Sequence, residues 1–355
     1  MNKLGPTSAL LELTYRCNLD CIQCYCKGLE DRKEELKTEE IKKVICLLAD
    51  SQCLQLTFSG GEPLIRNDFL ELYAFAKKKG FLVSIFTNGL LFNKETIDFF
   101  VKSRPQVIEI TVNGATADTY ESICGVKDSF RKLKETIKKL TQKNLPVVLK
   151  SNLLKQNKDE IYLIKRLSDK LISGPKDHSK GFRFKYDPLV LPRLNGDLTP
   201  TKYRLDFNEY IDVLRSDPDI RNEFKNKALQ GFVDLPKSRK YLYQCNLWKQ
   251  HYFFNPYGKI KFCMFSDKFS VDLREHNFQL SLKDLFVKLD KQVFKTNSKC
   301  RDCSLRQICH YCPARAFLEV GNEEASVPYY CDFARKLHDY FLKLRKRLKS
   351  RKTIK

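Results

Sequence analysis

Apolar, strand-like runs alternate with helix-like segments along the first 190 residues of the sequence. Consecutive parallel strands need long crossover connections, usually helices, so this order predicts a parallel sheet with right-handed crossovers. Six such units predict an α/β fold built as a partial (β/α)6, TIM-like barrel, whose loops after the strands form the functional face. The six runs are ALLELTY, LQLTFSG, FLVSIFTNG, QVIEITVNG, PVVLKSNLL and FRFKYDPLV.

Helical spacing fills the intervals between these runs. Apolar residues recur at i, i+3, i+4 and i+7 after Thr38, which we predict as an N-cap. Asn67 and Asn93 are predicted to begin two further helices, Gly80 to end the first of these, and residues 157–171 to complete the set. The remaining helix presents one apolar face, made of Phe130, Leu133, Ile137 and Leu140.

Composition limits the class of protein. The sequence is 42% hydrophobic, and it contains neither a secretory signal pattern nor an apolar run of about 18 residues, so we expect a soluble protein of the cytoplasm. Fourteen cysteines in that reducing compartment are poor candidates for structural disulfides. Their clustering favours metal or redox chemistry.

The stretch TYRCNLDCIQCYCKG places Cys17, Cys21 and Cys24 directly after the first predicted strand. This Cys-x3-Cys-x2-Cys spacing supplies three thiolates, which can ligate three irons of a cubane cluster and leave the fourth iron open. Zinc is the alternative, although a closed structural zinc site needs four ligands. The loop therefore predicts a metal centre on the functional face of the barrel.

The cysteine spacing resembles that of the radical S-adenosylmethionine (SAM) superfamily, in which a 4Fe–4S cluster binds SAM at its open iron. Similar companion motifs follow the next three strands: SGGEP after the second, TNG after the third, and TVNG after the fourth. The glycines of SGGEP are expected to allow a close backbone approach to SAM. By this resemblance, the candidate SAM-binding residues are Ser59, Gly60, Gly61, Glu62, Pro63, Thr87, Asn88, Thr111 and Asn113.

A second group of cysteines lies after residue 240 and resembles the SPASM extension, which carries two auxiliary iron–sulfur clusters. The resemblance assigns Cys245, Cys263 and Cys312 to the first auxiliary cluster, and its fourth ligand stays undetermined. A structural zinc ribbon is the alternative for the run from Cys300 to Cys312. The second auxiliary cluster is assigned Cys300, Cys303, Cys309 and Cys331.

The resemblance implies an enzyme that reductively cleaves SAM and abstracts hydrogen from a ribosomally made peptide or protein, installing a crosslink, thioether or epimer. Modification of RNA or of a small molecule is the alternative. Sulfatase-maturase-like activity is less favoured, because Met264 follows Cys263 where those maturases carry an aspartate. No sequence feature identifies a catalytic acid or base.

Charge suggests the partners. Lysine and arginine total 65 against 43 acidic residues, a net charge of +22, and ten of the basic residues lie between 335 and 355. A basic, amphipathic C-terminal helix is predicted there, and it could attract an acidic leader peptide or a flavodoxin- or ferredoxin-type electron donor. Nucleic acid is a less favoured partner because no RNA-binding motif accompanies the charge, and a solvated helix is the alternative interpretation.

These signals divide the chain into four parts. We expect the radical SAM barrel at 8–190, a bridging region at 191–240, the cysteine-rich SPASM domain at 241–334 and the basic tail at 335–355. The bridging region contains a predicted helix at 206–216. Candidate substrate contacts near the barrel mouth are Asp187, Arg193 and Asp197, although solvated loop charges are the favoured interpretation of these three residues.

Overall fold

The computed structural model describes residues 6–29, 34–172, 183–231, 239–245, 250–275, 284–285 and 287–350. Its centre is one nine-stranded sheet in the order β6-β5-β4-β3-β2-β1-β7-β8-β9. The strands are β1 (Ser8–Glu12), β2 (Gln55–Ser59), β3 (Leu82–Thr87), β4 (Val107–Thr111), β5 (Val147–Asn152), β6 (Phe184–Asp187), β7 (His251–Phe254), β8 (Lys259–Cys263) and β9 (Ser266–Asp272).

All six predicted strands are present, and β1 to β6 pair in parallel in sequence order. Alternate residues of each strand face the helices, as Val83 and Ile85 of β3 do, and these two side chains are fully buried. The residues between them face the inside of the curved sheet. The prediction of a mixed α/β fold built on a parallel sheet is confirmed.

Helices cover the outer face of the parallel strands. The Asn93 side chain caps the third helix by accepting a hydrogen bond from the Thr96 amide at 2.8 Å, as predicted. The predicted start of the first helix was one residue late and that of the second was one residue early, since their N-caps are Lys37 and Asp68. The helices are α1 (Thr38–Asp50), α2 (Phe69–Lys78), α3 (Lys94–Lys102), α4 (Ala117–Cys124), α5 (Ser129–Gln142) and α6 (Ile161–Leu171).

Helix α4 was not expected from the sequence, because its eight residues are too few to display a clear apolar period. The Thr116 hydroxyl accepts a hydrogen bond from the Thr119 amide at the first turn. At the other end Gly125 adopts a left-handed conformation with φ of 75°, which favours glycine. The helix begins at Ala117, shortly after the TVNG motif that was predicted to line the SAM site.

The cysteine-rich region extends the same sheet. Strand β7 pairs in parallel with β1, opposite to β2, and β8 and β9 follow as antiparallel neighbours. The turn from β7 to β8 is fixed by the Asn255 side chain, whose Oδ1 accepts hydrogen bonds from the amides of Tyr257 and Lys259. As a result β1 has a partner on each edge.

The bridging region and the tail pack together as helices α7 (Phe207–Ser216), α8 (Pro218–Gln230) and α10 (Pro328–Ser350), with α9 (Pro313–Val320) nearby. Phe224 of α8 stacks on Phe341 of α10 with ring centroids 5.3 Å apart. A buried pair joins Arg204 to Glu319 through two hydrogen bonds of 2.7 Å. The apolar face of the predicted tail is therefore occupied by this chain, and its charged face remains outside.

Among the described residues, no helix combines the length and the apolar character that a membrane span requires.

The packing of α10 predicts unequal effects for two adjacent residues. Phe341→Ala should destabilise the protein by about 3 kcal/mol because it leaves a cavity between α8 and α10. Leu342→Ala is the matched control and should change the free energy of unfolding by less than about 0.5 kcal/mol, since Leu342 is 41% exposed. Urea unfolding followed by circular dichroism measures both, and equal losses would contradict the described packing.

Candidate active site and auxiliary cysteine sites

A cavity of about 310 Å³ lies at the carboxyl ends of the parallel strands. Cys17, Cys21 and Cys24 of the loop after β1 form part of its wall. This is the position at which barrel folds carry their functional groups. The structure thus brings the three thiols predicted to bind the cluster to one concave site.

Helix α4 holds the cysteine loop in place. The amides of Asp20 and Ile22 donate hydrogen bonds to the carbonyls of Cys124 and Ile123, at 2.9 and 3.0 Å. Both acceptors lie in the last turn of α4, where carbonyl groups lack partners within the helix. The unexpected helix therefore fixes the segment that presents the thiols.

Desolvation makes the thiolate state of two of these three cysteines costly in the protein alone. It raises the pKa of Cys17 to about 11. It also raises the pKa of Cys21 well above the usual value, and the charges of Cys24 and Cys17 add to that effect. A bound metal centre offsets this cost because it stabilises thiolates. The donor set therefore fits a cluster held by three cysteines.

The SGGEP loop packs on the chain just before the first cysteine. The Gly61 amide donates to the Thr14 carbonyl at 2.8 Å and the Glu62 amide to the Arg16 carbonyl at 3.0 Å. A Cβ atom on Gly60 would lie 2.2 Å from the Thr14 carbonyl oxygen, and one on Gly61 would lie 2.4 Å from that of Arg16. The two glycines are thus required by contact with the chain's own backbone.

Glu62 is a fully buried carboxylate that joins two of the predicted motifs. It accepts hydrogen bonds from the Thr87 hydroxyl at 2.9 Å, the Asn88 amide at 2.7 Å and the Leu64 amide at 3.0 Å. Burial raises its pKa to about 7, although these hydrogen bonds oppose the shift. Glu62 and Pro63 are absent from the described cavity wall. Glu62 therefore holds the two loops on their side away from the cavity.

The other predicted SAM contacts face the cavity. Asn88 donates through Nδ2 to Asn18 at 2.8 Å and lies 3.7 Å from the Cys17 sulfur. Asn113 is almost fully buried, and its Oδ1 accepts a hydrogen bond from the Asn152 amide at 2.8 Å, which ties the segment after β4 to the end of β5. The seven predicted residues on the wall are Ser59, Gly60, Gly61, Thr87, Asn88, Thr111 and Asn113.

A charged group on the inner face of the sheet was missed by the sequence analysis. Glu109 on β4 lies 3.1 Å from Lys185 and 3.6 Å from Lys150, and Lys150 lies over the Phe86 ring. Glu109 and Lys150 line the cavity. The alternation of side chains along β4 and β5 predicts that Glu109 and Lys150 point inward. Only the pairing of the two strands shows that these side chains lie close together.

A second missed group lies beneath the cysteine loop. Glu12 is buried and accepts hydrogen bonds from the hydroxyls of Tyr15 and Tyr25, both at 2.8 Å. Burial raises its pKa, and the nearby charge of Lys261 on β8 opposes this shift. Glu12 therefore links the loop to β8, the strand that ends at Cys263. The tip of the β8–β9 hairpin, Met264 and Phe265, reaches the cavity wall.

The candidate substrate contacts have different positions. Asp187 lies on the cavity wall and accepts a hydrogen bond from the Leu189 amide at 2.9 Å. Arg193 and Asp197 form an ion pair of 2.7 Å in the following loop and are absent from the described wall. Only Asp187 of these three faces the cavity.

A second cavity, of about 210 Å³, contains the four cysteines predicted for the second auxiliary cluster: Cys300, Cys303, Cys309 and Cys331. Arg239 and Arg306 also line this cavity. Burial and the charge of Arg306 lower the pKa of Arg239, so the two guanidinium groups repel each other. An anionic group among the cysteines would relieve that repulsion, and a thiolate-bound cluster is anionic.

The cysteines predicted for the first auxiliary cluster are Cys245, Cys263 and Cys312, and Cys263 lies at the end of β8. Burial raises the pKa of Cys263 to about 11, and the charges of Cys312 and Cys245 contribute to the shift. In the part of the chain that the structure describes, no group of three histidine, cysteine or carboxylate side chains is arranged around a single metal ion.

Comparison with known proteins identifies the barrel. A family model described as the Radical SAM superfamily matches residues 11–167. The AdoMet-dependent heme synthase of Methanosarcina barkeri is 24% identical over 348 residues, which are 92% of this chain and 96% of that protein. The sporulation killing factor maturation protein SkfB of Bacillus subtilis is 31% identical over 156 residues, 44% of this chain and 38% of SkfB. The chain thus spans less than half the length of SkfB.

Solved structures share the fold. Streptococcus suis SuiB bound to S-adenosylmethionine aligns with a TM-score of 0.67 at 15% identity, covering 92% of this chain and 75% of SuiB. SuiB bound to its precursor peptide SuiA gives a TM-score of 0.66 at 17% identity, covering 92% and 76%. The domain implies a 4Fe–4S cluster and SAM as cofactors. This chain contains a radical SAM domain that spans residues 11–167, and peptide maturases are among its relatives.

Proposed function

We propose that this chain is a radical SAM enzyme that modifies a ribosomally made peptide or protein. The observation that carries the proposal is the shared cavity, whose wall contains three cysteines, the glycine-rich loop and the tip of the C-terminal hairpin. The similarity to SkfB and the SuiB fold with a precursor peptide support a peptide substrate. The proposed site of action is the cytoplasm.

Each part of the cavity has a proposed task. A bound 4Fe–4S cluster, reduced by one electron, would supply reductive cleavage of SAM and, through it, abstraction of hydrogen from the substrate. Cys17, Cys21 and Cys24 hold the cluster, and Glu62 orients the loops of Thr87 and Asn88 around SAM. Met264 and Phe265 cover the cavity from the hairpin side and limit access of water.

We propose two auxiliary clusters in the C-terminal region. The grouping of four cysteines with Arg239 and Arg306 around one cavity supports the second of them. The contribution of the Cys312 and Cys245 charges to the raised pKa of Cys263 supports the first. These clusters would accept an electron from the substrate or bind it directly.

Partners follow from the charge distribution. The outer face of α10 is basic and its apolar face is covered by α7 and α8, so this surface is proposed to attract an acidic leader peptide. A flavodoxin- or ferredoxin-type protein is the proposed electron donor.

A small-molecule substrate is the second candidate function. The observation that favours it is the match to AdoMet-dependent heme synthase, which extends over nearly the whole of both chains. Parallel assays with SAM and dithionite separate the peptide function from the small-molecule function. One assay contains peptides encoded beside the gene, and the other contains a porphyrin. Conversion of the porphyrin with unchanged peptides would favour the small-molecule function.

The first test of the proposal removes the three cysteines of the loop. The Cys17→Ala, Cys21→Ala, Cys24→Ala triple variant should lose about four irons per chain and all SAM cleavage, because no other ligand replaces the thiolates. Iron analysis and chromatography of 5′-deoxyadenosine measure both effects. Cys46→Ala is the control and should keep both, since Cys46 lies on α1 away from the cavity. Cleavage by the triple variant would contradict the assignment.

The second test separates the auxiliary sites from SAM cleavage. Cys303→Ala should abolish modification of the peptide and retain uncoupled formation of 5′-deoxyadenosine, because the second cavity is distinct from the first. Mass spectrometry of the peptide and the 5′-deoxyadenosine assay measure the two activities. Loss of all cleavage in a folded variant that retains the first cluster would contradict this division.

The third test concerns the basic surface. Replacing Lys343, Lys346 and Lys349 with Gln should weaken binding of an acidic peptide and reduce its salt dependence, because exposed charges act through screened attraction over about 8 Å at physiological ionic strength. Fluorescence anisotropy with a labelled, glutamate-rich peptide at low and high salt measures the effect.

The matched control for this surface is replacement of Lys132, Lys138 and Lys139 of α5 with Gln, which removes the same charge from another exposed helix face. The control should bind the peptide as the wild type does. If both triple variants weakened peptide binding equally, the effect would come from the net charge of the protein. That result would contradict a leader-binding surface on α10.

A further inference from the structure

Two lysines on the inner face of the barrel share one buried carboxylate. Glu109 is 6% exposed; its Oε2 accepts a hydrogen bond from the Lys185 Nζ at 3.1 Å, and its Oε1 lies 3.6 Å from the Lys150 Nζ. One carboxylate faces two ammonium groups, so the trio has an excess of one positive charge. Among the described residues, neither lysine forms an ion pair with Asp187, the acidic residue that β6 contributes to the cavity wall.

Lys150 is the lysine of this trio that faces the cavity. It lines the wall, whereas Lys185 is absent from the described wall. The distance of 3.6 Å to Glu109 is too long for a hydrogen bond, and within the described part of the chain the ammonium group has no other acceptor. Its Nζ lies 5.7 Å from the centre of the Phe86 ring, which holds the side chain against the wall. Because an ammonium group has three N–H donors, Lys150 can bind an acceptor that enters the cavity.

Strand pairing places this ammonium group next to the residues predicted to bind SAM. Lys150 of β5 pairs with Thr111 of β4 on one side and with Lys185 of β6 on the other. The cluster cysteines and the predicted SAM motifs belong to β1 to β4 and the loops that follow them. In contrast, β5 and β6 contribute Lys150, Asn152 and Asp187 to the wall, and these residues belong to none of the motifs. This part of the wall is therefore available to the substrate.

We propose that Lys150 binds a carboxylate of the peptide substrate, carried by an aspartate or glutamate residue close to the position that loses hydrogen. Glu109 and Phe86 hold the lysine side chain for this contact, and Lys185 keeps Glu109 paired when the substrate leaves. A carboxylate supplies both the charge and the acceptor atoms that this ammonium group lacks. The attraction is stronger inside the protein than at its surface, because the effective dielectric constant is lower there.

The inference rests on the proposed function, since it requires a peptide in the cavity. It deepens that function by naming the chemical class of the bound segment. The acidic residue in the cavity is separate from the acidic leader proposed for α10, because Lys150 lies on β5 inside the barrel.

The test is a double-mutant cycle on peptide binding to the full chain, loaded with its cluster and SAM. The probes are fluorescein-labelled copies of the peptides encoded beside the gene, in which each aspartate or glutamate is replaced in turn by its amide. Fluorescence anisotropy measures the dissociation constant of each peptide. One amide peptide should bind the wild type about tenfold more weakly than its parent does, because it loses a charged hydrogen bond. Lys150→Met should bind this amide peptide and its parent with the same, weakened affinity.

Two further variants serve as controls. Lys150→Arg keeps the positive charge and should retain the preference for the parent peptide. Lys155→Met is the matched control, because Lys155 is exposed, follows β5 and is absent from the described wall. It should preserve the wild-type difference between the two peptides. The Lys150→Met variant is expected to fold, since Lys185 remains as the partner of Glu109.

Several outcomes would overturn the proposal. One is an equal loss of affinity for the amide peptide in the wild type and in Lys150→Met, and another is a wild type that binds every amide peptide as tightly as its parent. Weaker binding of SAM alone by Lys150→Met, measured by equilibrium dialysis, would also overturn it and make Lys150 a SAM contact. A wild-type chain that binds none of the peptides would instead contradict the proposed peptide function itself.

Discussion

The pairing of β1 with a strand on each side is the interaction on which the rest of the architecture depends. β1 binds β2 along one edge and β7 along the other, so the barrel and the cysteine-rich region share one continuous sheet. The chain leaving β1 forms the cysteine loop, and the chain leaving β2 packs on its backbone through Gly60 and Gly61. Hydrogen bonding of one central strand thus fixes the position of the active loop.

Buried charge then links the elements around that strand. Glu12 at the end of β1 is held by Tyr15 and Tyr25 beneath the loop, and Lys261 of β8 lies close enough to oppose the rise in its pKa. Glu62 performs a similar task between the second and third motifs. A buried carboxylate is costly unless hydrogen bonds satisfy it, so both groups define a precise arrangement of the loops around the cavity.

The sequence predicted most of the parallel fold because apolar runs and helical periods are strong local signals. It located the six strands, the cap at Asn93 and the three cysteines of the loop. It missed α4, which is too short for a clear period. It could not reveal the meeting of Glu109 with Lys150 and Lys185, since these residues are far apart in sequence and become neighbours only through strand pairing.

The sequence by itself determined the kind of chemistry that this chain can support, because the spacing of Cys17, Cys21 and Cys24 and the order of the glycine motifs are local properties. Tertiary structure alone decided which groups surround that chemistry. It gathered Cys300, Cys303, Cys309 and Cys331 around one cavity and covered the apolar face of α10. Burial and long-range pairing produce these features, and neither is encoded in any short segment.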